Sequence, residues 1–178
     1  MGWVNRAGFQ ALFDASRRSV WRLETRDEYH EPDEAEPLRR FLAGEPSDLE
    51  WIADFYDWVH AATLAGKRFE RVRVIADPPT DYQRFLVSFT PAAVAKGEDI
   101  RLIDADRAAA LHLGGDFWMF DDHLVAVMQF GDKGVTGAEV ITDSVAVERY
   151  RAIRQRAWAA ATPFPEWVCG EHPPPRNA

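Results

Sequence analysis

The sequence predicts an α+β fold in which a mixed parallel and antiparallel sheet is flanked by helices. Three observations lead to this prediction. A strand, a helix and a second strand follow one another over residues 68–103, which is the unit of a parallel sheet. Apolar segments separated by tight turns over residues 117–142 predict antiparallel strands. Hydrophobic residues make up 47% of the 178 residues, which is enough to fill the core of one domain.

The first third of the chain predicts three helices and one strand. Apolar residues at helical spacing indicate a helix over residues 6–15, and alternation indicates a strand over residues 19–25. An acidic first turn and a basic last turn predict a short helix over residues 32–43. The capping-box pattern of residues 47–50 then begins a helix that ends at Gly66.

The middle of the chain predicts the parallel part of the sheet. Residues 68–75 alternate as a strand, and a helix over residues 81–96 follows a turn of two prolines. A glycine ends this helix, and residues 100–103 form the next strand. We therefore expect the two strands to run in the same direction.

The last third predicts the antiparallel part. Residues 117–120 are apolar on both faces, as a central strand should be, and a tight turn leads into a strand over residues 124–130. A glycine-rich turn connects this strand to residues 135–142. Ser144 is then expected to cap a helix that ends near residue 161.

Composition places the chain in a broad class. We expect one globular domain over residues 1–168, followed by a disordered tail over residues 169–178. The first residues do not resemble a signal peptide, and no segment stays apolar for about 18 residues, so no membrane span is predicted. A single cysteine, Cys169, suits a reducing cytoplasm. The net charge of -8 opposes direct binding of nucleic acid.

Two arginines form the main candidate binding feature. Arg71 and Arg73 lie two residues apart on a predicted strand, so their side chains should point to the same face of the sheet. Two guanidinium groups on one face can hold a phosphate or a carboxylate through paired hydrogen bonds. The alternative is that the arginines form structural ion pairs with internal carboxylates such as Glu24, Glu70 or Glu98.

A second cluster has the residue types of a metal site. Asp116, Asp121, Asp122 and His123, with His112 upstream, offer carboxylates and imidazoles, which are ordinary metal ligands. Their spacing matches no known metal motif. Two aspartates between apolar strands are better explained as turn formers, so no metal and no other cofactor is predicted.

No catalytic motif is found. The sequence lacks the G-x-S-x-G pattern of serine hydrolases, and its glycines match neither the dinucleotide fingerprint nor the P-loop. We therefore assign no catalytic residue.

Six short motifs occur in a distinctive order along the chain, namely Arg22-Leu23-Glu24-Thr25, Glu70-Arg71-Val72-Arg73-Val74, Asp81-Tyr82, Gly97-Glu98-Asp99-Ile100-Arg101, Asp116-Phe117-Trp118-Met119-Phe120-Asp121 and Arg149-Tyr150-Arg151. The order of these motifs is similar to that of an actinobacterial family of small proteins classified as a domain of unknown function, and it extends over about residues 8–167. Members of that family are often encoded near helix-turn-helix regulators, which implies a regulatory partner.

The order of predicted elements also resembles one half of the phospholipase D-like fold. Active members of that fold carry a His-x-Lys motif, whose histidine attacks a phosphodiester. None of the five histidines here is followed by lysine two residues later. This resemblance therefore implies the fold without the phosphodiesterase chemistry.

These observations predict a non-catalytic sensor or adaptor domain that acts with a helix-turn-helix transcription regulator. We expect it to recognise a small anionic ligand or a partner surface. The sequence is also compatible with a homodimer. The candidate ligand-binding residues are Arg71, Arg73, Tyr82, Glu98, Arg101, Asp116 and Trp118.

Two alternatives stay open at this point. One is a hydrolase or transferase that holds a phosphorylated substrate through Arg71, Arg73 and Arg101, with Glu98 or Asp116 as the acid. The other is a purely structural interaction protein. A closed salt-bridge network around the arginines would favour the structural protein, whereas an open pocket that they line together with Tyr82 and Trp118 would favour the sensor.

Overall fold

A computed structural model describes residues 2–46 and 48–169 and contains one mixed sheet of eight strands with flanking helices, which confirms the predicted fold class. The strands are β1 (Gly2–Asn5), β2 (Ser19–Glu24), β3 (Arg68–Ile75), β4 (Glu98–Asp104), β5 (Phe117–Phe120), β6 (Leu124–Gly131), β7 (Gly134–Ile141) and β8 (Thr162–Pro163). The helices are α1 (Arg6–Ala15), α2 (Ala35–Leu42), α3 (Ala53–Leu64), α4 (Asp81–Ala95), α5 (Ala105–Ala110), α6 (Ser144–Ala160) and α7 (Phe164–Cys169).

The sheet has the order β1-β7-β6-β5-β2-β3-β4-β8. Strands β3 and β4 are parallel, as the strand-helix-strand order predicts, and β2 also runs parallel to β3. Strands β5, β6 and β7 pair antiparallel, which confirms the prediction for the last third of the chain. Since β5 also pairs antiparallel with β2, the two halves of the sheet join at this strand pair near its centre.

The two faces of the sheet are covered by different helices. Trp21 and Leu23 of β2 point to the face that packs against α6, together with Val72 of β3. Arg22 and Glu24 point to the opposite face, because successive side chains of a strand alternate. That second face is covered by α1, α3 and α4, and it is the face on which the charged residues are concentrated.

Several helix starts differ from the sequence prediction. The α-helix predicted from residues 47–50 begins only at Ala53, after a 3-10 turn over Glu50–Ile52, and Leu49 adopts a left-handed backbone conformation. The capping role predicted for Ser47 lies outside the described residues. Ser144 is not the cap of α6, because the side chain of Asp143 accepts the hydrogen bond from the Ala146 N–H.

Four short elements were not predicted, and two of them are the edge strands of the sheet. They are β1, α5, β8 and α7. Cys169, which the prediction placed in a disordered tail, is the last residue of α7. The rest of the predicted tail, residues 170–178, lies outside the described residues. Within the described part of the chain, no helix combines the length and apolar character needed to cross a bilayer.

Candidate functional site

Three neighbouring parallel strands bring charged side chains together on the face covered by α1, α3 and α4. Arg22 and Glu24 of β2 lie beside Arg71 and Arg73 of β3 in register. Glu98 at the start of β4 lies opposite Phe69, which shares this face. The common face follows from the two-residue period of each strand, and the parallel register sets the side chains next to one another.

Glu24 is the centre of the resulting ion-pair network. Its carboxylate accepts hydrogen bonds from Arg73 Nε at 2.7 Å and from Arg71 Nη1 at 2.5 Å. Arg22 Nε lies 3.5 Å from the same carboxylate. Burial alone would raise the pKa of Glu24, but the guanidinium groups of Arg71, Arg73 and Arg22 outweigh it and hold this pKa far below its ordinary value.

Glu98 extends the network on the other side of Arg71, whose Nε donates to Glu98 Oε1 at 2.8 Å. Arg71 and Arg73 therefore pair with Glu24 and Glu98, two of the three carboxylates that the structural alternative named. The third, Glu70, points to the opposite face and pairs with Arg154 at 2.9 Å. The side chains of Arg73, Glu24 and Glu98 are all less than a tenth exposed.

Asp116 is buried at the edge of this network. Its carboxylate accepts hydrogen bonds from the Thr25 N–H at 3.0 Å, from the Thr25 hydroxyl at 2.6 Å and from the Tyr29 hydroxyl at 2.5 Å. Arg22 Nη2 donates to it at 3.1 Å. These four bonds hold β2 and the segment after it against the start of β5, so Asp116 has a structural role, and it does not line the cavity described below.

A cavity of about 340 Å³ lies above the network. Five of the seven candidate residues line it, namely Arg71, Arg73, Tyr82, Glu98 and Trp118. Its other lining residues are Arg6, Phe9, Gln10, Phe13, Arg22, Glu24, Tyr29, Glu31, Glu34, Ile52, Phe55, Tyr56, Leu86, Phe89, Thr90, Ala93, Ile100, Met128 and Val135. Because Arg6 and Gln10 are exposed, the cavity opens to solvent beside α1.

Trp118 forms part of the cavity wall and orders two arginines. The centre of its ring system lies 4.8 Å from the guanidinium carbon of Arg22 and 5.7 Å from that of Arg71. At these distances the negative face of the indole attracts the cations. The ring therefore helps to keep the guanidinium groups in place below the cavity.

Arg101 is not part of the cluster. The register of β4 places it beside Val72 of β3, so its side chain points to the opposite face of the sheet. There its guanidinium carbon lies 3.9 Å from the centre of the Trp158 ring, and Nη1 donates to the Trp158 carbonyl at 3.2 Å. The structure thus separates Arg101 from Arg71 and Arg73.

The rim of the cavity contains charged residues that sequence reasoning did not select. Glu31 accepts hydrogen bonds from Arg6 Nη1 at 2.5 Å and from the Val135 N–H at 2.8 Å. Glu34 accepts a hydrogen bond from the Tyr82 hydroxyl, and burial raises the pKa of this carboxylate above its ordinary value. Glu31 lies directly before the 3-10 turn Pro32–Glu34, and Glu34 is its last residue. Neither glutamate belongs to a regular helix or strand whose periodicity would place its side chain.

Arg22 was not selected as a site residue, and Glu24 was named only as a pairing partner of the arginines, although a signal for both was available. Alternation along residues 19–25 places Arg22 and Glu24 on the same face as Val20, opposite Trp21 and Leu23. Two charged residues on the apolar face of a strand predict a buried ion-pair network.

Some hydrogen-bonding groups in the cavity have no partner within the described part of the chain. Arg71 uses Nε and Nη1 for its two glutamates, which leaves Nη2 without an acceptor. Among the described residues, Glu98 accepts a hydrogen bond only through Oε1, and the Tyr56 hydroxyl has no hydrogen-bond partner. Burial is the main cause that raises the pKa of Tyr56 to about 12, so its hydroxyl stays protonated at neutral pH. The cavity therefore offers a bound molecule both donors and acceptors.

The second candidate cluster has a structural role. Asp121 and Asp122 have positive φ angles of 51° and 62°, which confirms that they form a turn. The Asp121 carboxylate accepts hydrogen bonds from the backbone N–H groups of Arg17, Arg18 and Ser19. Among residues 2–46 and 48–169, no group of three histidine, cysteine, aspartate or glutamate side chains is placed to hold a metal ion.

The fold and the site define a mixed α/β domain with a solvent-accessible cavity above a buried network of arginines and glutamates. The chain belongs to the family described as "Domain of unknown function (DUF6879)", which matches residues 7–169. The match agrees closely with the extent of the resemblance seen in the sequence. A comparison with curated proteins found no match.

Proposed function

We propose that this protein is a non-catalytic sensor or adaptor domain that binds a small ligand in the cavity and acts with a helix-turn-helix transcription regulator. The observation that carries the proposal is the cavity itself, where aromatic walls surround buried arginines and glutamates. Concave sites that combine apolar walls with a few placed polar groups are the usual form of a small-molecule site.

A purely structural network explains these features less well. The ion pairs of Arg71 and Arg73 are those of a scaffold. However, the same residues line a cavity together with Tyr82 and Trp118, and Arg71 keeps an unpaired Nη2 there. Arg71 Nη2 is not fully buried, so a ligand that hydrogen-bonds to it can replace the water that otherwise solvates it in the cavity.

The enzyme alternative loses part of its support. It required Arg101 beside Arg71 and Arg73, and the sheet places Arg101 on the opposite face. The residues that line the cavity, within the described part of the chain, include no serine, cysteine, lysine or histidine. The lining does contain Thr90, tyrosines and glutamates, so the main argument against turnover is the position of Arg101.

The regulator partner and the phospholipase D-like fold come from the sequence resemblances. The parallel strands β2, β3 and β4, followed by the antiparallel strands β5, β6 and β7, are compatible with the order of elements on which the fold proposal rests. Co-expression of this chain with a helix-turn-helix regulator encoded beside its gene, where one is found, followed by size-exclusion chromatography, tests the partner. Elution of the two proteins as separate species would contradict the adaptor role.

Ligand binding is tested with a variant that fills the cavity and leaves its charges intact. Ala93 of α4 is buried and lines the cavity, so Ala93→Leu should occupy part of its volume. Ala95→Leu, at an exposed position on the same helix, is the matched control. We expect a thermal-shift screen of small metabolites to find compounds that stabilise the wild type and the control but not Ala93→Leu. Equal responses of all three proteins would remove the cavity as the binding site.

A further inference from the structure

The charges that line the cavity are balanced. The charged side chains among its described lining residues are four arginines and four glutamates, so their formal charges cancel. They are Arg6, Arg22, Arg71, Arg73, Glu24, Glu31, Glu34 and Glu98. An anion that enters this cavity therefore gains little from net charge and still loses its hydration. The balance favours an uncharged ligand over a phosphate or a carboxylate.

Two neighbouring groups among those that have no hydrogen-bond partner in the described residues define the polar edge of such a ligand. Arg71 Nη2 is a donor and Glu98 Oε2 is an acceptor, and the two residues are joined by a hydrogen bond of 2.8 Å. The Tyr56 hydroxyl can serve as either, and the charges of Arg71 and Glu98 both act on it. One edge of the ligand must therefore accept a hydrogen bond and also donate one.

The walls define the shape of the ligand. Aromatic side chains of phenylalanine, tyrosine and tryptophan form much of the cavity wall, including Phe9, Phe55 and Trp118. Flat rings pack against aromatic side chains by offset stacking or edge-to-face contact. A volume of about 340 Å³ is at the lower end for ligand pockets, so the molecule is small.

We propose that the cavity binds an uncharged planar aromatic molecule that carries a primary amide or an equivalent donor and acceptor edge. The carbonyl oxygen accepts from Arg71 Nη2, and the amide N–H donates to Glu98. A carboxylate in the same position would place a negative oxygen against the negative Glu98. An amidinium would place a positively charged N–H donor against the donor of Arg71. Both arrangements are repulsive. This inference rests on the proposed ligand-binding function and specifies the class of ligand.

Probes of the same shape and different charge test the inference. Benzamide, benzoate, benzamidinium and inorganic phosphate are titrated separately into the full-length protein by calorimetry. We expect the Kd of benzamide to be at least about tenfold lower than that of the charged probes, which corresponds to roughly 1.4 kcal/mol. Tightest binding of benzoate, benzamidinium or phosphate would overturn the inference and leave the ligand-binding function intact. Binding of none of them at millimolar concentration would overturn the inference, and the thermal-shift screen with Ala93→Leu would then decide the ligand-binding function separately.

Two variants link the preference to the named residues. Tyr56→Phe removes a hydroxyl that has no partner in the described residues, so it should fold normally and raise the Kd of benzamide by about three- to tenfold. Tyr150→Phe, on the opposite face of the sheet, is the matched control and should leave this Kd unchanged. Glu98→Gln gives the lining a positive net charge and should improve the binding of benzoate relative to benzamide. Equal effects of the two tyrosine variants, or an unchanged order of probes in Glu98→Gln, would overturn the assignment.

Discussion

Arg73 shows how a charged side chain is retained inside the domain. Its Nε donates to Glu24 at 2.7 Å and its Nη1 donates to the Thr90 hydroxyl at 3.2 Å. The residue is only 4% exposed, so neither charge of the pair is well hydrated. Removing one member of such a pair leaves the other as an uncompensated buried charge.

We therefore expect Arg73→Ala to lower the free energy of unfolding by about 3–5 kcal/mol, because it leaves Glu24 with less compensation. Urea denaturation of the purified variant measures this change. Arg68→Ala is the control, since Arg68 is exposed on the same strand. If both variants lost the same small amount of stability, Arg73 would not be a structural residue, and a direct role in ligand binding would become its main function.

A second prediction at the residue scale concerns Glu34, whose pKa is raised by burial. A group whose pKa is raised by folding stabilises the folded state most at a pH below its ordinary pKa of 4.5. This contribution is lost as the pH rises through the folded-state pKa. Glu34→Gln cannot ionise and still accepts the hydrogen bond from Tyr82. We expect the stability of Glu34→Gln relative to the wild type to increase between about pH 4 and pH 7. Thermal unfolding across this range checks the trend, and a constant difference would contradict it.

At the scale of elements, the turn between β5 and β6 also organises the start of β2. The Asp121 carboxylate accepts from the N–H groups of Arg17, Arg18 and Ser19 at 2.7, 2.6 and 2.8 Å. The Asp121 N–H in turn donates to the Ser19 carbonyl at 2.9 Å. One side chain thus ties a turn to the strand that is distant in sequence but central in the sheet.

Asp121→Ala should therefore destabilise the domain by about 3 kcal/mol, because three partly buried N–H groups lose a charged acceptor. Asp132→Ala provides the control, as Asp132 is an exposed residue of the next turn. Chemical denaturation of the two variants measures the difference. Equal midpoints would show that water replaces the carboxylate without cost.

At the scale of the whole molecule, the net charge of -8 limits the partners of the protein. DNA phosphates are repelled by an acidic surface unless positive charge is concentrated locally. Many of the arginines in the described part of the chain are already paired with carboxylates, including Arg71 and Arg73 within the cavity and Arg154 on the opposite face.

We expect the protein alone to bind duplex DNA no better than about 10⁻⁴ M at physiological salt, at the weak limit of non-specific binding. Fluorescence anisotropy of a labelled duplex measures this affinity. Nanomolar binding without a partner would replace the adaptor role by direct recognition of DNA.

The local pattern of the chain was sufficient to predict much of the fold. The bounds of α1, β3 and β5 agree with the predicted ranges, and the parallel and antiparallel parts of the sheet were assigned correctly. Periodicity depends on residues close in sequence, so it also placed Arg71 and Arg73 on one face. Short elements such as β1 and β8 were missed, because they form by pairing with distant strands rather than through a pattern of their own.

The sequence by itself determined which residues share a face within each strand, and therefore that two arginines lie together on β3. Only the tertiary structure decided that Glu24 and Glu98 pair with them and that Arg101 lies across the sheet. It also decided that a cavity remains above the pairs. The physical reason is that the register between strands and the packing of helices on a sheet depend on contacts distant in sequence, which no local pattern contains.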